Sequence, residues 1–105
     1  MKLIGGHAVK HEFKVPGRYY PNNPGVIVFE SKPPHWGFVH SMEFIVYRDG
    51  TPAQDVATNN IGIKEYGDAC ELRLQFECFD CNAGKVGDHA YEMHGTVNFY
   101  ELGDV

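Results

Sequence analysis

Between residues 70 and 78 apolar and polar side chains alternate without a break: Cys70, Leu72, Leu74, Phe76 and Cys78 against Glu71, Arg73, Gln75 and Glu77. Successive side chains of a strand point to opposite faces, so this run predicts a strand with one apolar and one charged face. The same period recurs along the chain. Val9, His11, Phe13 and Val15 alternate with Lys10, Glu12 and Lys14 as far as the turn pair Pro16-Gly17, and Lys2 to Ile4 predicts a short strand ahead of Gly5-Gly6. Arg18 to Gly25, with its tyrosines, prolines and asparagines, reads as an irregular aromatic loop. Val26 to Glu30 is a compact β-branched strand, stopped where Lys32-Pro33-Pro34 cannot continue a ladder.

Phe38 to Arg48 is the longest apolar strand candidate. Phe38, Met42, Phe44 and Val46 share one face with His40, while Val39, Ile45 and Tyr47 make the other face apolar as well. A strand apolar on both sides lies centrally or faces a partner or ligand. Asp49-Gly50 predicts a turn. Thr51 to Ala57 is the one segment with a helical signature: Thr51 can cap, Pro52 suits the first helical position and Asn59-Asn60 would end it, although a structured loop fits equally. Ile61 to Tyr66 is a weak strand before Gly67-Asp68, and a Gly-containing connection runs from Asn82 to Asp88. The last strand, Tyr91 to Glu101, sets Tyr91, Met93, Val97 and Phe99 against Glu92, His94, Thr96, Asn98 and Tyr100.

These elements predict one mainly β domain over residues 1–105, built from five to seven strands with at most one short helix. No crossover helices are present, so the strands should be antiparallel, in a single curved sheet, an open barrel or a sandwich. Pairing the last two long strands so that their apolar faces match sets Cys78 opposite Met93 and Phe76 opposite Gly95. The charged face then sets Glu77 opposite His94, Arg73 opposite Asn98 and Glu71 opposite Tyr100.

Composition narrows the class of partner. Hydrophobic residues make up 43% and aromatics 13%, enough for a folded core. Formal charge is −5 and the Lys and Arg residues are scattered, which disfavours nucleic acid as a partner. Apolar runs are too short to span a bilayer as a helix, and Met1 to His7 leaves no room for the apolar region of a signal peptide, so a cytoplasmic location is expected. Three cysteines, two of them in one strand pattern, suit reduced thiols better than a disulfide framework.

Three constellations could carry chemistry. Cys78 and Cys81 have the spacing of a zinc half-site, with His89 and His94 downstream. The parity of the strands opposes that site, because Cys78 lies with an apolar face and His94 with a polar one. A buried core cysteine and a loop cysteine are the simpler reading. The polar face is the second: Glu77 beside His94 would form an acid–base pair, with Arg73, Tyr100 and Glu92 near it, if that face lines a cavity. On an open face the same residues are solvated cross-strand pairs. The third is His35-Trp36-Gly37-Phe38-Val39-His40 leading to Glu43, where Trp36 and His40 could rim a ligand pocket.

Glu43 followed six residues later by Gly50, together with His94-Gly-Thr-Val-Asn98, resembles the ends of the two motifs of cupins, small β-barrel metalloproteins. The resemblance covers a few positions only. It implies a transition metal held by His40, Glu43 and His94. The sequence departs from it, since His35 and His40 are too far apart for the paired histidines, and His40 and Glu43 share a side only across a bulge. No phosphate loop opens a helix and no serine sits in a nucleophile elbow. The expectation is therefore a non-enzymatic module, with no cofactor, that binds a small molecule or a protein and acts as a homodimer. The alternative is a small β-barrel enzyme, either cupin-like and metal-dependent or metal-free through His94 and Glu77. A component of a larger assembly is a third reading.

Overall fold

The alternating runs form strands whose apolar faces meet across a single core. The computed structural model describes residues 2–20, 22, 25–33, 37–64, 72–82 and 85–103. In chain order the strands are β1 (Lys2–Pro16), β2 (Arg18–Tyr19), β3 (Val26–Ser31), β4 (Gly37–Arg48), β5 (Thr51–Pro52), β6 (Ala57–Lys64), β7 (Arg73–Phe79) and β8 (Tyr91–Gly103). They make two antiparallel four-stranded sheets, ordered β1-β8-β4-β5 and β2-β3-β7-β6. Two of the eight strands among the described residues are only two residues long, leaving six of substantial length. Among the described residues the helical content is one 3-10 turn, Val86–Asp88, and no helix is long and apolar enough to cross a membrane.

The two sheets pack face to face as a sandwich. From the long sheet Phe13, Met93, Val97, Phe99 and Val46 point inward; from the short sheet Ile27, Phe29, Leu74, Phe76 and Cys78 do so. Phe76 bridges the layers, its ring 5.9 Å from Phe13 and 5.1 Å from Phe44. Aromatic pairs at such spacings add to the area they bury.

The sandwich corrects the expected register. β7 and β8 are not neighbours in one sheet; they belong to opposite layers. β7 pairs with β3 and β6, and β8 lies between β1 and β4. Matching apolar faces is satisfied equally by strands side by side and by strands facing across a core, so alternation alone could not choose. Glu77 consequently lies opposite Val28 and Asn60, while His94 lies opposite Lys14 and Ile45. The bare backbone at Gly95, expected opposite Phe76, is covered instead by the ring of Phe13. A Cβ at Gly95 would sit 2.3 Å from Phe13 Cζ, and Phe76 stacks on Phe13 from the opposite sheet.

Two local expectations also change. Thr51 and Pro52 pair with Arg48 and Tyr47 as β5, and the Ala53 amide donates to the Val46 carbonyl at 2.8 Å, so no helix forms there. A helix of about two turns is too short to compete with such tertiary bonds. Asp49 (φ 52°) and Gly50 (φ 81°) form the predicted turn, both in the left-handed region that a tight two-residue hairpin loop requires. In β4 the register to β8 shifts between Val39 and Ser41, making His40 the extra residue of a bulge. The bulge inverts parity. Val39, Met42, Phe44 and Val46 pack toward the core, while Phe38 lies opposite Tyr100 on the outside and is 62% exposed.

Candidate functional site

The outer face of the long sheet gathers five of the residues that the sequence singles out: His40, Glu43, Glu92, His94 and Tyr100. Its three main strands run in the order β1, β8, β4, so residues across them align in rows. One row is Lys14, His94 and Ile45; the next is Glu12, Thr96 and Glu43; the next is Lys10, Asn98 and Ser41. Each row spans two strand spacings, about 10 Å. An open trough of about 440 Å³ lies over the first two rows, walled by Glu12, Lys14, Glu43, Ile45, His94 and Thr96.

The charges of this face are mostly matched within it. Lys10 Nζ lies 3.3 Å from Glu12 Oε1, and Lys14 Nζ lies 3.7 Å from Glu92 Oε1. His94 Nε2 also bonds Glu92 Oε1, which requires the proton on Nε2, and the Tyr47 ring packs on the imidazole at 4.2 Å. Glu92 takes the place expected of Glu77 beside His94. The bond from His94, aided by Lys14, holds the Glu92 carboxyl below its ordinary value. Asn98 Nδ2 donates to Ser41 Oγ at 3.0 Å, and His40 meets the Tyr100 ring edge-on at 5.5 Å. Glu43 has no ion-pair or hydrogen-bond partner among the described residues.

The other candidate residues lie elsewhere. Arg73 and Glu77 are on the outer side of the short sheet, where Arg73 Nη2 and Arg18 Nη2 clasp Glu30 at 2.6 and 2.8 Å. The Arg73 bond outweighs burial and holds the Glu30 carboxyl low. Trp36 and Glu71 lie outside the described residues. Cys78 is a core residue whose Sγ is 3.8 Å from Thr58 Oγ1; burial pushes its thiol up, away from the thiolate a metal needs. Cys81 is exposed. His40, Glu43 and His94, the cupin-like set, occur in separate rows of an external sheet face. Among the described residues no three His, Cys, Asp or Glu side chains converge as metal ligands.

A second polar cluster, unforeseen from the sequence, closes one end of the sandwich. Asp80, at the end of β7, is 2% exposed. Its Oδ2 accepts from the Tyr91 hydroxyl and from Arg48 Nη1 at 2.6 Å, and its Oδ1 accepts from the Asn82 amide at 3.1 Å. Arg48 reaches on to Asp55 at 3.4 Å, and Asn82 Nδ2 donates to Asp55 at 2.9 Å. Beside it the Asp49 carboxylate accepts from the Ala90 amide at 2.8 Å and bonds His89 Nδ1 at 2.6 Å. The sequence does carry the signal. Asp80 is in phase with Leu74, Phe76 and Cys78, so the alternation aims it inward, where a carboxylate needs donors. Each carboxylate oxygen of Asp80 is met by the protein itself, which makes the cluster a tie between sheets.

Compared with known proteins, the chain matches at a significant level no family model, no curated protein and no solved structure. Fold and site together define an all-β, two-sheet domain with an open polar and aromatic sheet face.

Proposed function

We propose that this protein is a non-enzymatic protein-binding module that acts through the outer face of its long sheet. The observation that carries the reading is the exposure of large apolar side chains there: Ile45 is 53% and Phe38 62% exposed, on the same strand as the unmatched Glu43. Apolar and aromatic groups set among polar ones are the composition of a recognition surface. The trough is shallow and open, which suits a contact spread along a sheet better than the enclosure of a small molecule. The His94–Glu92 pair would serve as a general base inside a pocket. On a face open to water it lacks the exclusion of solvent that acid–base chemistry exploits.

The test is a photo-crosslinking amino acid placed at position 45 and, in a separate protein, at position 75 on the outer side of the short sheet. Irradiated in the native host, position 45 should give discrete higher-mass adducts and position 75 none. Adducts of equal yield at both positions, or none at either, would overturn the assignment.

A further inference from the structure

We infer that the partner presents a lysine or arginine to Glu43, with an apolar side chain two residues away lying on Ile45. This rests on the protein-binding reading above and names the chemistry of its occupant.

The charge pattern supplies the argument. Lys10 is paired with Glu12 and Lys14 with Glu92, to which His94 also hydrogen-bonds, so the lysines of the face are turned toward two of its three carboxylates. Glu43, the third, borders the trough with no partner among the described residues. A ligand that buries this face must match that charge or leave a desolvated carboxylate unpaired, which is costly. A cation seated there lies above Thr96, with Glu12 across the same row. Guanidinium is the best fit to such a carboxylate, because its fork of donors can bond both oxygens. Glu43 and Ile45 are two residues apart on one face of β4, and an extended partner presents side chains at that same interval.

Other occupants fit less well. An anionic ligand would meet Glu12, Glu43 and Glu92, and a neutral sugar would bond Glu43 through its hydroxyls without neutralising its charge. A second copy stacked face to face also brings Glu43 no cation: with an axis across the strands between the first two rows, Lys14 meets Glu12 but Glu43 falls on Ile45. A two-fold axis along the strands through Thr96 sets Glu12 of each copy over Glu43 of the other. An axis across the strands through Thr96 sets Glu12 on Glu12 and Glu43 on Glu43. Either of these last two arrangements opposes like charges.

The probe is an acetylated, amidated Thr-Arg-Thr-Ile-Thr peptide, titrated into the isotope-labelled full chain and followed by amide chemical shifts. Shifts should cluster at residues 41–45 and 94–96. Affinity should fall at least roughly threefold when glutamine replaces the peptide's arginine, and equally for Glu43→Gln. Glu43→Lys should lose the arginine peptide and gain its glutamate counterpart, a rescue that misfolding could not produce. Equal binding of the arginine and glutamine peptides, or no binding of either, would overturn the inference. If adducts at position 45 persisted in that case, the binding module would stand and only its cationic partner would fall. A soluble glucan that shifted the same amides when the peptide did not would overturn it in favour of carbohydrate. A solution dimer with position 45 in its interface would overturn it in favour of a second copy.

Discussion

A carboxylate that is 2% exposed must bring its donors with it, and Asp80 shows how one residue can organise an end of the molecule. Its donors come from both layers: Tyr91 and Arg48 from the long sheet, the Asn82 amide from the loop that leaves the short one. Tyr91→Phe removes one donor while keeping the ring, which packs on Tyr19 and His89. We expect a loss of about 1–2 kcal/mol, read as a lower urea midpoint at unchanged slope. Tyr47→Phe, on the outer face, should change stability by no more than about 0.5 kcal/mol. Equal midpoints for the two variants would show that the hydroxyl of Tyr91 holds nothing. Asp80 was legible in principle, because its parity aims it at the core. Its partners were not, since Arg48 and Tyr91 are distant in sequence and no local pattern marks the three as a group.

Among the elements, β4 carries both the fold and the candidate face. Val46 is 5% exposed and Ile45 53%, so one residue step crosses from core to solvent. Ile45→Asp should therefore leave stability within about 0.5 kcal/mol, whereas Val46→Asp should cost more than about 3 kcal/mol by burying an unpaired charge. Urea unfolding of the two variants checks this, and equal losses would refute the assignment of faces. Each long strand was readable from its alternation, because burial on one side imposes a period of two. The layer to which each strand belongs was not, as β7 and β8 demonstrate. The side on which Phe38 lies was hidden for another reason: a bulge shifts phase by one residue, and His40 carries no signature of it. Thr51 to Ala57 shows tertiary bonding overriding a local helical cue. The bulges also have a use. Between Gly37 and Ile45, β4 has no neighbour on its outer side among the described residues, and the register of β6 to β7 also shifts, between Thr58 and Asn60. Irregular edges resist pairing with other chains, and the outward Lys10 and Lys14 guard the β1 edge similarly. Under the proposed protein-binding reading, this favours the face over an edge as the contact surface.

The whole molecule measures 51 × 26 × 17 Å, with strands of up to fifteen residues in the long sheet and eight in the short one. Because the polar cluster ties the two layers together at one end, it should weigh on global stability, and its titration makes that measurable. Burial alone would push the Asp80 carboxyl up, but the bonds from Tyr91, Arg48 and the Asn82 amide outweigh it and leave it below its ordinary value. Its contribution is complete above about pH 5, where folded and unfolded chains are both ionised. Below that the unfolded chain takes up the proton first, so stability falls until Asp80 itself is protonated. Glu30, Asp49, Asp55 and Glu92 are lowered too and act in the same direction. His11, lowered by burial beside Ser31, begins a shallower fall from about pH 6.5 downward, because the unfolded imidazole protonates before the folded one. At the alkaline end the sign reverses. Burial and the bond to Asp80 raise the Tyr91 phenol, so above about pH 10 the unfolded chain ionises while the folded one keeps its proton, and stability falls again. Urea midpoints measured from acid to alkaline pH should form a plateau near neutrality, with a steep acid limb and an alkaline limb that Tyr91→Phe makes shallower. A profile that is flat through the acid range, or an alkaline limb unchanged by Tyr91→Phe, would mean that the tie between the sheets does not govern how the molecule responds to pH.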